Sequence, residues 1–230
     1  MKTMLILSMG ALLLAGTVSA QAPVNEWQAG VDKMKSLVQT NPEQASEEAG
    51  ALLKGKNKKN VDLVTSIAHI YLNAGKLTDA QEYLAMAKKA NNKDPKVSVL
   101  EGDIALAQKN VGQACQLYEQ AIYFDPNCKE AYLKYAQAYK SASPSLAIEK
   151  LEQLKAVEPD CLEADKELAE VYYSSNRFDK AAAMYAKFIN TPLATEDDML
   201  KYAFALFLNH DFEKSLQIAR KGLQADARHA

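Results

Sequence analysis

From residue 61 onward, apolar residues return every three or four positions, the spacing of one helical face. "VDLVTSIAHIYLNAG" predicts one helix and "LTDAQEYLAMAKKANN" the next. Short polar stretches separate such pairs: "NAGK", "QKNVG", "SASPS", "SSNR" and "NHD". Their Gly, Asn, Ser and Pro are turn residues and helix stops. The second helix of a pair ends near Asp-Pro or a relative of it, in "KDPK", "FDPN" and "EPD". Proline has no backbone N–H to donate, so it suits the start of the following helix.

The pattern recurs in phase with a period of about 34 residues. Ala80, Ala114, Ala181 and Ser215 correspond, with Ala147 in a unit one residue shorter. Leu84, Tyr118, Leu151, Tyr185 and Ala219 follow four residues later, and Ala87, Ala121, Leu154, Phe188 and Gly222 seven later. Upstream, Ala68, Gly102, Ala136, Ala169 and Ala203 align, as do Tyr71, Ala105, Tyr139, Tyr172 and Leu206. The units are 61–94, 95–128, 129–161, 162–195 and 196–229. Small residues let paired helices approach, and the larger residues fill the space beside them. One pair cannot bury its own apolar stripe, but stacked pairs bury a continuous one. The expected fold class is therefore all-α, a solenoid of helical hairpins.

These residues resemble the tetratricopeptide repeat. The clearest copies are Tyr135-Ala136-Tyr139, Leu168-Ala169-Tyr172 with Ala181 and Tyr185, and Ala114-Tyr118-Ala121-Pro126. Tyr132 sits where the family usually has Trp or another aromatic. The likeness spans about three quarters of the chain and implies a right-handed α–α superhelix. Three departures stand out. Unit 61–94 has Pro95 at the next start instead of its own terminal proline. Ala105 replaces an aromatic. Ala219 and Gly222 predict loose packing of the last helix. Residues 21–60 read as a divergent N-terminal hairpin, with Pro42 near the start of its second helix. The basic run from Lys54 to Lys59 reads as a solvated helix end. The last unit has no polar-faced cap after it. Either the natural chain continues or a partner supplies the cap.

Composition changes this picture little. A net charge of -2 gives no reason to expect nucleic acid. "MKTMLILSMGALLLAGTVSA" reads as a signal peptide (1–20) cleaved before Gln21, with a membrane anchor as the weaker alternative because the apolar run is short. No other segment is apolar enough to cross a bilayer. The mature protein is expected to be periplasmic or secreted, without membrane insertion. Cys115, Cys128 and Cys161 form no CxxC and are an odd number, so at least one thiol is free. Cys115 and Cys128 lie at opposite ends of one helix, too far apart for a disulfide. Cys128 and Cys161 end adjacent units and stay open as a pair.

Catalytic signals are missing. His69, His210 and His229 have no metal spacing, and no nucleophile elbow, Walker loop or dinucleotide fingerprint occurs. The carboxylates Glu47 and Glu48, Glu163 and Glu167, and "TEDD" at 195–198 fit solvated helix surfaces and N-termini. The expectation is a non-enzyme that holds no metal and no cofactor.

The resemblance implies that first helices line a concave face. The protein-binding residues it points to are His69, Asp103, Leu133, Gln137, Lys166, Glu170, Tyr173, Leu200, Phe204 and Phe207. Asp62, Thr65 and Val99 share that lining. The Lys and Asn pattern by which some family members clamp chaperone tails is not reproduced. Leu200, Phe204 and Phe207 form an apolar stripe that either anchors a peptide or packs against a further repeat. The expected function is a periplasmic module that binds a peptide or protein in its concave face. The rivals are a structural or self-associating subunit of an envelope assembly, joined through the uncapped last repeat, and an accessory arm of a longer enzyme. Glycan binding is a weaker fourth.

Overall fold

The computed structural model describes residues 26–226, with side chains to Leu223. The expected signal segment, its cleavage site and His229 lie outside the described residues. Among the described residues are twelve α-helices and no strand. A first pair, α1 (Gln28–Leu37) and α2 (Pro42–Leu52), is followed by a 3-10 turn at Gly55–Lys59. Five further pairs follow: α3 (Val61–Asn73) with α4 (Leu77–Asn91), α5 (Pro95–Ala107) with α6 (Val111–Phe124), and α7 (Lys129–Tyr139) with α8 (Pro144–Val157). Then come α9 (Leu162–Ser174) with α10 (Phe178–Phe188), and α11 (Glu196–Leu208) with α12 (Phe212–Asp226). Each helix packs on its partner. From α4 onward each second helix also packs on the first helix of the next pair, and first helices touch first helices, as α1 does α3, α3 does α5, α5 does α7 and α7 does α9. That is the connectivity of a solenoid. No described helix is long and apolar enough to cross a membrane.

Helix starts are set by side-chain caps. Asn41, Asn60, Asp94 and Asn110 each accept a backbone N–H from the first turn, and Thr195 with Asp198 forms a reciprocal capping box. Pro42, Pro95 and Pro144 occupy the opening of their helices, where no N–H is needed. Pro126 and Pro159 do not. They sit in the turns before α7 and α9, so the expectation that they open the following helix is corrected.

Four of the five hairpin turns from α3 onward share one device. Gly75, Lys109, Asn176 and His210 are left-handed, with φ of 75°, 62°, 57° and 62°. Behind each, a backbone N–H reaches back five residues: Lys76 to Tyr71, Asn110 to Ala105, Arg177 to Tyr172 and Asp211 to Leu206, all at 2.9 Å. This is the Schellman closure. The turn between α7 and α8 lacks it. The unit one residue shorter loses that residue here, and Pro144 begins α8 directly.

The aligned small residues are the seam. Ala80, Ala114, Ala147 and Ala181 are all fully buried, as are Ala68, Ala136 and Ala169. At Gly102 a Cβ would lie 2.5 Å from Cε1 of the buried Tyr118 ring, so only glycine fits. Gly222 has a similar role. Its Cβ would meet Cβ of Met199 at 3.3 Å, which makes a close helix contact of a position where loose packing was expected. The run at Lys54–Lys59 forms the 3-10 turn, tied by Asn57 Nδ2 to the Leu52 carbonyl at 3.0 Å.

Candidate functional site

First helices place one face side by side along the inner surface, and their polar residues pair from repeat to repeat. Lys96 meets Asp62, and Lys129 meets Glu163 at 3.2 Å. His69 Nε2 lies 3.1 Å from Asp103 Oδ2, and Lys134 Nζ reaches the same oxygen at 2.8 Å. Gln137 donates to Glu167 at 2.8 Å. Lys166 reaches Asp198 at 2.8 Å and the Leu193 carbonyl at 2.9 Å. Lys201 spans both oxygens of Glu170 at 2.9 and 3.0 Å. The partners lie about one repeat apart, so the rungs form a ladder along the face.

Asp198 and Asp103 are the most enclosed members, with 3% and 8% of their side chains exposed. Burial alone would raise the Asp103 carboxyl pKa. Hydrogen bonds from His69, Lys134 and Tyr118 outweigh that and hold the carboxyl below its ordinary value. The Tyr118 hydroxyl donates to Asp103 Oδ1 at 2.7 Å, and burial and that negative charge push its own pKa up. Asp198 is likewise lowered against its burial, by Lys166 and Thr195. Lys201 is raised against its burial, by Asp197 and Glu170.

The residues predicted from sequence therefore fall into four groups. His69, Asp103, Gln137, Lys166 and Glu170 are rungs of the ladder, spent largely on neighbouring repeats. Thr65 and Val99 are buried in the wall, and the Thr65 hydroxyl is bonded to the Val61 carbonyl. Leu133 and Tyr173 are half-buried against the core. Leu200, Phe204 and Phe207 lie together near the far end, each about half exposed. Phe204 makes edge contacts with Tyr173 and Phe178, with ring centroids 6.2 and 5.9 Å away.

Hollows occur at both ends: one of about 740 Å³ lies between α10 and α12, and an aromatic-lined one lies at the N-terminal end. A cavity of about 550 Å³ opens between α1 and α3. Trp27, Val31, Val38, Ile70 and Ala74 supply its apolar surface, and Lys35, Gln39, Ser66, His69 and Asn73 its polar surface. A second cavity of about 310 Å³ shares Trp27, Ser66 and His69 and extends to Asp62, Lys96 and Glu130. Trp27 is half-buried and lines both. Repeat reasoning left it out because it precedes the phased units; its being the sole Trp in the chain was the available signal.

Among the described residues, no three His, Cys, Asp or Glu side chains gather as a metal-binding group. Cys115, Cys128 and Cys161 are all free thiols. Burial pushes Cys115 up to about 11 and also raises the other two.

Stacked hairpins with a self-paired inner face define an α-solenoid. The sequence profile described as "Tetratricopeptide repeat" matches residues 65–129 and 137–194, more than half of the chain. The chain belongs to the tetratricopeptide repeat family. It is 28% identical over 204 residues to human tetratricopeptide repeat protein 21A, covering 77% of this chain and 15% of that much longer protein. Among solved structures, PilF of Pseudomonas aeruginosa superposes with a TM-score of 0.65 at 16% identity, covering 84% of this chain and 89% of that one. YrrB, described as a TPR protein with an unusual peptide-binding site, gives 0.55 at 14% identity, covering 76% and 91%. At these identities the structural likeness shows the fold alone.

Proposed function

We propose that this chain is a non-catalytic binding module that holds a peptide or protein segment against its inner face, outside the cytosol. The observation that carries the reading is the cavity beside Trp27. Along most of the face the charged groups already satisfy one another. At the Trp27 end an aromatic ring and an aliphatic floor stay open, with polar atoms around them. That combination suits one apolar side chain of a bound segment, with backbone hydrogen bonds at the rim. YrrB, a distant structural relative described as binding peptide, is consistent with this use. The charged rungs are engaged in structural pairs, which favours binding over catalysis. Export to the periplasm rests on residues 1–20, whose one Lys, apolar core and Val18-Ser19-Ala20 match a cleavable leader.

A displayed peptide library selected on the mature protein tests both parts. Its mass should correspond to a chain beginning at Gln21; retention of residues 1–20 would contradict export with cleavage. Selected peptides should shift the emission of Trp27, the single Trp. Trp27→Ala should weaken them by at least about tenfold, roughly 1.4 kcal/mol. Phe204→Ala and Phe207→Ala should leave affinity unchanged. Loss of binding in those two variants, with Trp27→Ala unaffected, moves the anchor to the other end. Failure to select any peptide removes the reading.

A further inference from the structure

The last hairpin carries an apolar face that the earlier ones cover. In the preceding repeat, Ala182 and Ile189 point toward the next pair and are 8% and 3% exposed. Their counterparts in α12 are Leu216 and Leu223, at 53% and 62%. Phe212 lies on the same stripe of α12 and packs edge-on against Phe207 of α11, ring centroids 5.5 Å apart, with Leu200 further back along α11 and exposed. The opposite flank of α12 faces α10, where Lys221 bonds Asn190 at 2.6 Å. Leu216 borders the cavity shared with α10, and Phe212 and Leu223 lie beyond it, so the open stripe runs along the outer edge of α12.

We infer that this flank is the interface of a two-fold dimer, with α12 of one copy packed antiparallel on α12 of a second. Three observations select that occupant. The first is area. Leu200, Phe207, Phe212, Leu216 and Leu223, each about half exposed, present on the order of 450 Å². That is the size of the largest patch on a monomer, which is often functional, and close to the apolar share of one side of a standard interface. The second is symmetry. Elsewhere the exposed large apolar residues are scattered, at Val111, Tyr123, Leu146 and Val157, and none occurs among the described residues before Val111. At the N-terminal end a head-to-tail partner would find the recessed Trp27 cavity, which takes one side chain and not a helix-long stripe, so the stripe finds its match in a second copy of itself. The third is pattern and charge. Phe212, Leu216, Ala219 and Leu223 are spaced four, three and four, the seam of paired helices. Setting Phe212 opposite the second copy's Leu223, and Leu216 opposite its Ala219, brings Glu213 beside its Arg220. Both are exposed at the edge of the stripe. The two-fold makes that pair twice.

Sedimentation equilibrium of the mature chain over a range of concentrations tests this. The mass should rise from one chain to two and stop there. Leu216→Glu with Leu223→Glu should weaken association by at least about a hundredfold, about 2.7 kcal/mol, with helical content unchanged because both positions are exposed. Tyr123→Glu, at an exposed residue on α6, should leave the dimer intact. Glu213→Arg alone and Arg220→Glu alone should each weaken it several-fold, and the two together should restore it. Rescue by the double swap is not expected of a generally sticky surface. A monomer at every concentration, assembly beyond two chains, or a dimer indifferent to the leucine variants would overturn the inference. Peptide binding at Trp27 is read separately and is unaffected by either result.

Discussion

Asp165 is held at 2% exposure between Lys155 and Lys187 of two second helices, and Asp103 is its counterpart on the inner face. Asp103 is nearly enclosed, and His69, Lys134 and Tyr118 donate to it from three helices in three repeats. Because its folded pKa lies below the unfolded value of about 3.9, its contribution is full above that value. It is lost as pH falls through the lower folded one. Asp198 and Glu163 are shifted in the same direction. Asp103→Asn should cost about 1–3 kcal/mol at neutral pH. The lower range applies because Lys134 and His69, each about one third exposed, can rehydrate. Urea midpoints measured against pH should show the gap between variant and parent closing in acid; a gap that is constant with pH would deny the charge its role. In the sequence, Asp103 was legible as a residue on the inner stripe. Its enclosure was not, because that depends on Gly102 bringing Tyr118 close, a contact between two different helices.

Helices and their pairing were legible nearly to the residue, since the three–four spacing, the Asn and Asp caps and Pro42, Pro95 and Pro144 mark helix starts. Turn conformation was less so. Gly75 announces a left-handed residue, but Lys109, Asn176 and His210 occupy the same place without glycine's freedom. For an ordinary side chain that conformation costs about 1–2 kcal/mol, while glycine adds about 0.5–1 kcal/mol of entropy loss on folding. Lys109→Gly should therefore stabilise by up to about 1 kcal/mol, and Gly75→Ala should destabilise by a similar amount. Thermal melting of the two variants should show shifts of opposite sign. The misplaced roles of Pro126 and Pro159 have a related origin. Asp-Pro near a helix end marks a boundary, but sequence alone does not say how many residues the turn takes before the next helix begins.

At the scale of the molecule, the solenoid could be read from five in-phase copies, whereas the cavity at its N-terminal end could not. Trp27 lies outside the periodic region, and the cavity arises where the divergent first hairpin meets α3. Self-pairing of the inner face was also hidden, because the stripe of charges looks the same whether it awaits a ligand or meets the next repeat. The ladder has a mechanical consequence. Its rungs are mostly part-exposed, so each is worth no more than about 1 kcal/mol and contributes little to whether the chain folds. What they govern is the spacing of the first helices, while the apolar seam on the other side holds the second helices fixed. Near 1 M salt the screening length falls to about 3 Å, and the inner edge loses its tension. The superhelix then behaves as a spring whose rest curvature relaxes with ionic strength, lengthening in small-angle scattering while its helical content stays constant.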